Sequence, residues 1–249
     1  MLQHKNILAF IGGVLETKSF LITEYMERGN LSDVLKKEPN LPWTRKILMA
    51  IDAAEGINYL HDQDPVIVHR DLKSLNLLVN TDYVVKVADF GLSKATSGRS
   101  LNSKVGSVNW CAPEILRKRM PYTPKSDVYS FGMVLYEFIT HHPPFQGLNP
   151  LQIVSAISME DYPEIPANTL DELVQLTEDC WKTEPEDRPD FEEIIKRLHI
   201  IKTIFDENPE NEKACEPTTS LREEAQSKLV AKDEVLQVSD EIEEILLAD

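Results

Sequence analysis

His69-Arg70-Asp71-Leu72-Lys73-Ser74-Leu75-Asn76 sets a carboxylate, an ammonium and a side-chain amide within one short stretch. A second carboxylate follows in Asp89-Phe90-Gly91, and Ala112-Pro113-Glu114 comes after it. Asp71 and Asp89 are 18 residues apart, and Asp89 and Ala112 are 23 apart. Phosphoryl transfer is mainly positioning and charge neutralisation. It needs a carboxylate near the attacking hydroxyl, metal ligands on the phosphates and a cation for the developing charge. The residue types in these motifs supply several of those parts, and chance is a poor account of three polar motifs in this order.

The three motifs resemble the H-R-D-L-x-x-x-N, D-F-G and A-P-E set of protein kinases. The resemblance runs from His4 to about residue 203. It implies a role for each matching residue. Asp71 would accept the proton of a substrate hydroxyl, and Lys73 would contact the transferring γ-phosphate. Asn76 and Asp89 would hold Mg2+, so ATP and Mg2+ are the expected cofactors. His69 invites a general-base reading, but the resemblance makes it a packing residue, stacked with Phe90 of the Asp-Phe-Gly91 turn and with Phe10. Leu21-Ile-Thr-Glu-Tyr-Met26 looks like the strand and hinge that bind adenine. Backbone groups of Glu24 and Met26 would meet the base edge. Thr23 matches the gatekeeper position, Leu78 would lie under the ring, and Asp33 would face the ribose.

The stretch between Asp89 and Glu114 matches an activation loop. Ser100 and Ser103 are its candidate regulatory sites, where a phosphate would order the loop by pairing with Arg70. The plainer reading is a set of solvated hydroxyls. Ser107 is expected to contact Asp71 and Lys73 and to shape the substrate site. Glu114 should pair with Arg188 in Pro185-Glu-Asp-Arg-Pro-Asp-Phe191, and Asp127 should brace the backbone of the catalytic loop. Lys73, two residues past Asp71, follows the serine/threonine pattern. Gly106-Ser-Val-Asn-Trp-Cys-Ala-Pro-Glu114 resembles the G-[ST]-x-x-W-x-A-P-E of tyrosine-kinase-like serine/threonine kinases. The implied activity is phosphorylation of Ser and Thr on protein substrates in signal transduction.

The N-terminal end departs from the family pattern. His4-Lys-Asn-Ile-Leu8 resembles the turn after helix C, and no Gly-rich loop or V-A-I-K lysine stands before it. Lys5 and Lys18 are poor substitutes. The expectation is an N-terminally truncated catalytic domain, part of a longer kinase and weak or inactive as given. The alternatives are a non-catalytic, pseudokinase-like scaffold or decoy and, less well supported, a secreted or membrane-anchored protein led by residues 5–15.

These residues need elements to hold them. Residues 7–15 and 18–25 are short apolar runs that suit a hairpin, with Ile7–Leu15 read as a buried strand rather than a signal-peptide core. Asn30 caps a helix from Leu31, and Pro42 opens a longer one whose buried face is Ile47, Leu48, Ile51, Ala54, Ile57 and Leu60. Residues 66–68, 77–79 and 84–87 read as short strands, and residues 92–107 as a mobile loop. The rest is mainly helix. Ser126 to Ile139 is central and apolar, Thr169-Leu-Asp-Glu172 and Asp190-Phe-Glu-Glu193 are helix starts, and Trp181 and Phe191 are core aromatics. The expected fold class is α+β, a protein kinase-like fold with a mostly helical C-lobe and a remnant of the N-lobe sheet. The divisions fall at 1–26, 27–204 and 205–249.

Bulk composition narrows the classes further. The 249 residues carry a net charge of −16, of which residues 206–249 contribute −10. That leaves no basic field for nucleic acid. The acidic tail reads as a solvated segment or a partner-binding amphipathic helix. Cys111, Cys180 and Cys215 stand apart, which points to a reducing, cytoplasmic location rather than a disulfide framework. No apolar run is long enough to span a membrane.

Overall fold

The computed structural model describes residues 2–15, 19–89, 107–116 and 121–214. Phe90, Gly91, Ser100, Ser103 and the tail beyond residue 214 lie outside the described residues. Two antiparallel strands, β1 (Phe10–Leu15) and β2 (Ser19–Thr23), pair with Phe10 opposite Thr23 and Gly13 opposite Leu21. A second sheet has the order β3 (Gly29–Asn30), β4 (Leu77–Val79), β5 (Val85–Val87), also antiparallel. The N-terminal segment is tied to that sheet. Val87 N donates to Asn6 O at 2.9 Å, and Leu8 N donates to Val87 O at 3.0 Å.

The helices carry the core. Asn30 caps α1 (Leu31–Lys37) by accepting from Asp33 N. Helix α2 runs from Trp43 to His61 behind Pro42, whose fixed φ and missing N–H suit a helix start. It then passes against the N-terminal segment. A Cβ on Gly56 would fall 2.5 Å from Asn6 O, so only glycine permits this approach. The short α3 (Pro113–Leu116) precedes α4 (Pro124–Thr140), which is buried nearly throughout. Around α4 lie α5 (Pro150–Ser158), α6 (Asp171–Cys180) and α7 (Phe191–Glu207). Phe131 and Phe191 meet edge to face at 5.3 Å, and Trp181 and Phe191 are both buried.

Several expectations change here. The first strand is not buried. Phe10, Ile11 and Val14 are 45%, 67% and 41% exposed, and Phe20, Leu21 and Ile22 of β2 are exposed as well. Since neighbouring side chains on a strand point to opposite faces, both faces of the hairpin meet solvent. Residues 66–68 form no strand, because Ile67 N returns to Leu60 O at the end of α2 instead of pairing with a neighbouring strand. Leu48 is exposed while the other five residues predicted for its helix face are buried. Thr169 makes no capping box: its N–H closes a turn on Pro166 O, and the N-cap of α6 is Leu170. Asp190 does cap α7, accepting from Glu193 N at 2.8 Å.

The packed body runs past residue 204. Phe205 is buried and stacks on Trp43 at 5.5 Å. A further helix, α8 (Glu210–Ala214), follows within the stretch read as acidic linker. The Glu212 carboxylate accepts from Trp43 N and Thr44 N, capping the start of α2. No helix among the described residues is long and apolar enough to cross a membrane.

Candidate active site

The catalytic-loop residues sit on an irregular segment between the end of α2 and β4, closed by a 3-10 turn at Ser74–Asn76. One buried side chain shapes that segment. Asp127, at the start of α4, accepts from His69 N at 2.7 Å, Arg70 N at 2.9 Å and the His61 ring at 2.9 Å. With two successive amides drawn to one carboxylate, Arg70 takes a left-handed backbone with φ of 70°, a conformation that side chains other than glycine rarely adopt. Asp89 does the same with φ of 61°.

His69 is fully buried and joins these two strained points. Its Nε2 faces Ala88 O at 2.9 Å, and its Nδ1 faces Asp71 N at 3.3 Å. A carbonyl can only accept and an amide can only donate, so the ring is the neutral Nε2–H tautomer. Burial lowers its pKa, outweighing the pull of Asp127. His69 therefore holds the backbone on both sides of the site and is not arranged as a base. Phe90, expected to stack on it, lies outside the described residues, and Phe10 is half-exposed on the hairpin.

Asp71, Lys73, Asn76 and Ser107 come together. Lys73 Nζ lies 2.9 Å from Asp71 Oδ2 and 2.7 Å from Ser107 Oγ. Asn76 Nδ2 donates to Asp71 O at 2.8 Å and to Asp71 Oδ2 at 3.1 Å. With the amide nitrogen committed to Asp71, the amide oxygen of Asn76 is the group left to meet a cation. Ala88 N donates to Asn76 O at 2.9 Å, which brings the chain leading to Asp89 alongside, and the Asp89 side chain is exposed. An amide oxygen and a carboxylate are hard donors of the kind that hold Mg2+ together with phosphate oxygens and water. Among the described residues no cluster of three or more His, Cys, Asp or Glu is arranged for a metal.

The hinge residues are placed separately. Glu24 N donates to Ala9 O at 3.1 Å, and the Glu24 carboxylate holds Lys86 at 2.7 Å and Ala9 N at 2.6 Å. Those charge-assisted bonds hold the Glu24 carboxyl below its ordinary range despite the opposing effect of burial. Glu24 O accepts the Thr23 hydroxyl at 3.2 Å, and Met26 is buried, with its carbonyl taking Gly29 N. Leu78 lies in β4 opposite Asn30 and Lys86. The Asp33 carboxylate accepts from Asn30 Nδ2 at 3.0 Å.

On the far side of Asp71 the activation-segment anchors converge. Arg188 and Glu114 form a fork of two 2.9 Å bonds. The remaining guanidinium N–H groups of Arg188 reach Lys182 O, Lys125 O and Thr183 O, and Ser126 Oγ donates to Glu114. The ion pair is thus buried but fully satisfied. A pocket opens beside Asp71, lined by Ser107, Trp110, Cys111, Ile115 and Tyr122 among others. Glu137 and His61, which sequence reasoning did not single out, both brace this region. A glutamate inside an otherwise apolar helix was the available signal for Glu137.

Residues 1–198 match the family described as protein tyrosine and serine/threonine kinase. The serine/threonine-protein kinase CTR1 of Arabidopsis thaliana is 45% identical over 207 residues, covering 80% of this chain and 25% of that protein. The probable serine/threonine-protein kinase drkA of Dictyostelium discoideum is 43% identical over 203 residues, covering 80% of this chain and 32% of that protein. The chain spans about a quarter to a third of the length of these curated relatives.

Proposed function

The chain belongs to the protein tyrosine and serine/threonine kinase family, and from that premise we propose that it carries the phosphoryl-transfer machinery of a serine/threonine protein kinase acting in signalling. The observation that carries this reading is the Asp71–Lys73–Ser107 contact with Asn76 bonded to Asp71. The Asp71 carboxylate, partly open to solvent, is the acceptor for the proton of a serine or threonine hydroxyl. Lys73 offers its ammonium where negative charge builds on the transferred group. Asn76 and Asp89 would hold Mg2+ through oxygen, and a magnesium nucleotide bound there would supply the phosphoryl group with its charge partly neutralised. The hinge at Glu24 and Met26, with Thr23, Leu78 and Asp33, receives the nucleotide.

Residues flanking the acceptor lie in the pocket beside Ser107 and Trp110. Serine/threonine rather than tyrosine specificity is supported by Lys73 two residues past Asp71 and by the Gly106–Glu114 pattern of the tyrosine-kinase-like group. The wide separation of the three cysteines in the chain, with Cys180 free and buried, supports a reducing, cytoplasmic setting. Ser100 and Ser103 remain the proposed regulatory hydroxyls, and the acidic tail the proposed partner segment.

The 249 residues contain no Gly-rich loop or V-A-I-K lysine, so slow transfer is expected from this polypeptide alone. The test is prolonged incubation of the purified chain with labelled ATP, Mg2+ and mixed Ser, Thr and Tyr peptides. Slow labelling confined to Ser and Thr and lost in Asp71→Asn is the expected result. Label on tyrosine would overturn the specificity, and label that survives Asp71→Asn would overturn the role of Asp71. No label above the Asp71→Asn blank would mean that the chain is inactive as given, and tight partner binding that does not depend on nucleotide would then favour the scaffold reading.

A further inference from the structure

Glu137 lies on α4 with only 2% of its surface exposed. A carboxylate removed from water is costly unless its lone pairs are used. Here both oxygens are used, by donors from two different segments. Ser74 Oγ donates to Oε1 at 2.6 Å, and the Trp110 indole N–H donates to Oε2 at 2.8 Å. Ser74 opens the 3-10 turn between Lys73 and Asn76. Trp110 closes a second 3-10 turn, Val108–Trp110, and lines the pocket beside Asp71. The same helix grips the Trp110 backbone too, since Ser130 Oγ donates to Trp110 O at 2.7 Å.

We propose that Glu137 is a positioning residue that ties the catalytic turn to the Trp110 wall of the substrate pocket. An apolar side chain would fill this place in α4 without desolvating a charge. The carboxylate does what an apolar group cannot: it fixes Ser74 and Trp110 in one relation, one oxygen each. A shift of the turn bearing Lys73 and Asn76 is thereby felt at the peptide side of the site. The catalytic part of this inference rests on the kinase reading above, and the structural link does not.

The two parts are tested separately in the full chain. With 15N-labelled indoles, the Trp110 N–H signal is assigned by its loss in Trp110→Phe. Ser74→Ala, which disturbs only the far end of the link, should shift that signal in the unsubstituted chain and leave it unmoved in Glu137→Gln. An unmoved signal with Glu137 present overturns the link, as does an equal shift in both backgrounds. If Glu137→Gln does not fold, Ser74→Ala in the unsubstituted chain still decides. Where labelling sensitive to Asp71→Asn is measurable, Glu137→Gln should lower kcat/KM for peptide by roughly tenfold to a hundredfold and leave KM for ATP unchanged. Unchanged peptide kinetics, or an equal loss in ATP binding, overturns the positioning role.

Discussion

The β1–β2 hairpin and the catalytic loop invert the usual relation between sequence and burial. The hairpin reads Phe-Ile-Gly-Gly-Val-Leu and Ser-Phe-Leu-Ile-Thr, yet Phe10, Ile11, Phe20, Leu21 and Ile22 stand in solvent. The loop from His69 to Asn76 is rich in charge, yet His69, Ser74 and Asn76 are buried and each hydrogen-bonds to another segment or to the loop itself. Burial here follows the number of available partners rather than the hydropathy of the stretch. Two paired strands offer one neighbour each, and a two-stranded ribbon is only marginally stable by itself. The loop lies against α4, which presents Asp127 and Glu137 to it, and the backbone of β5 continues into Ala88 beside it.

If that contrast is right, the largest losses come from the polar cross-braces. Arg188→Ala leaves the Glu114 carboxylate buried without its partner and is expected to cost about 3–5 kcal/mol, read by chemical denaturation. A cost near that of a surface substitution would break the comparison. Asp127→Ala strands the backbone amides of buried His69 and half-buried Arg70 and is expected to cost about 1–3 kcal/mol for the buried one and less for the other. It should also abolish labelling that depends on Asp71, because the His69–Arg70 backbone loses its anchor.

The pH dependence of Glu137 sharpens the contrast. Burial pushes its carboxyl up to about 7, against the hydrogen bonds from Ser74 and Trp110. The folded state then holds a proton that the unfolded chain, near its ordinary 4.5, has released. The contribution is full below pH 4.5 and falls as the pH rises to about 7. Denaturation midpoints across that window should decline in the unsubstituted chain, with a shallower slope in Glu137→Gln. The smallest effect belongs to the hairpin. Ile11→Lys with Leu21→Lys should change stability by less than about 0.5 kcal/mol per site while reducing light scattering on concentration. A loss as large as that of Arg188→Ala would show the hairpin to be part of the core.

Much of the site was legible because its parts are short-range. Asp71, Lys73 and Asn76 lie within one loop, so their spacing in the chain constrains their spacing in space. The Asn30 and Asp190 caps act over three residues and could be read directly. Thr169 could not, because the turn on Pro166 shifts the start of α6 by one position. Residues 66–68 have strand composition, but their strand status needed a neighbour that the end of α2 displaced.

Sequence alone determined the order and chemistry of the motifs, the apolar course of α4 and the identity of the Glu114–Arg188 pair. Each is a matter of residue type at a given spacing, and a resemblance in type and spacing carries them whole. That a two-stranded remnant leaves an apolar face exposed was also legible in the sequence. Tertiary structure alone decided that both faces of the hairpin are exposed, that Glu212 caps α2 and that Glu137 spans Ser74 and Trp110. Those facts depend on which distant segments meet. A carboxylate or an apolar strand has no fixed environment until its neighbours arrive, and those neighbours come from parts of the chain that local pattern does not connect.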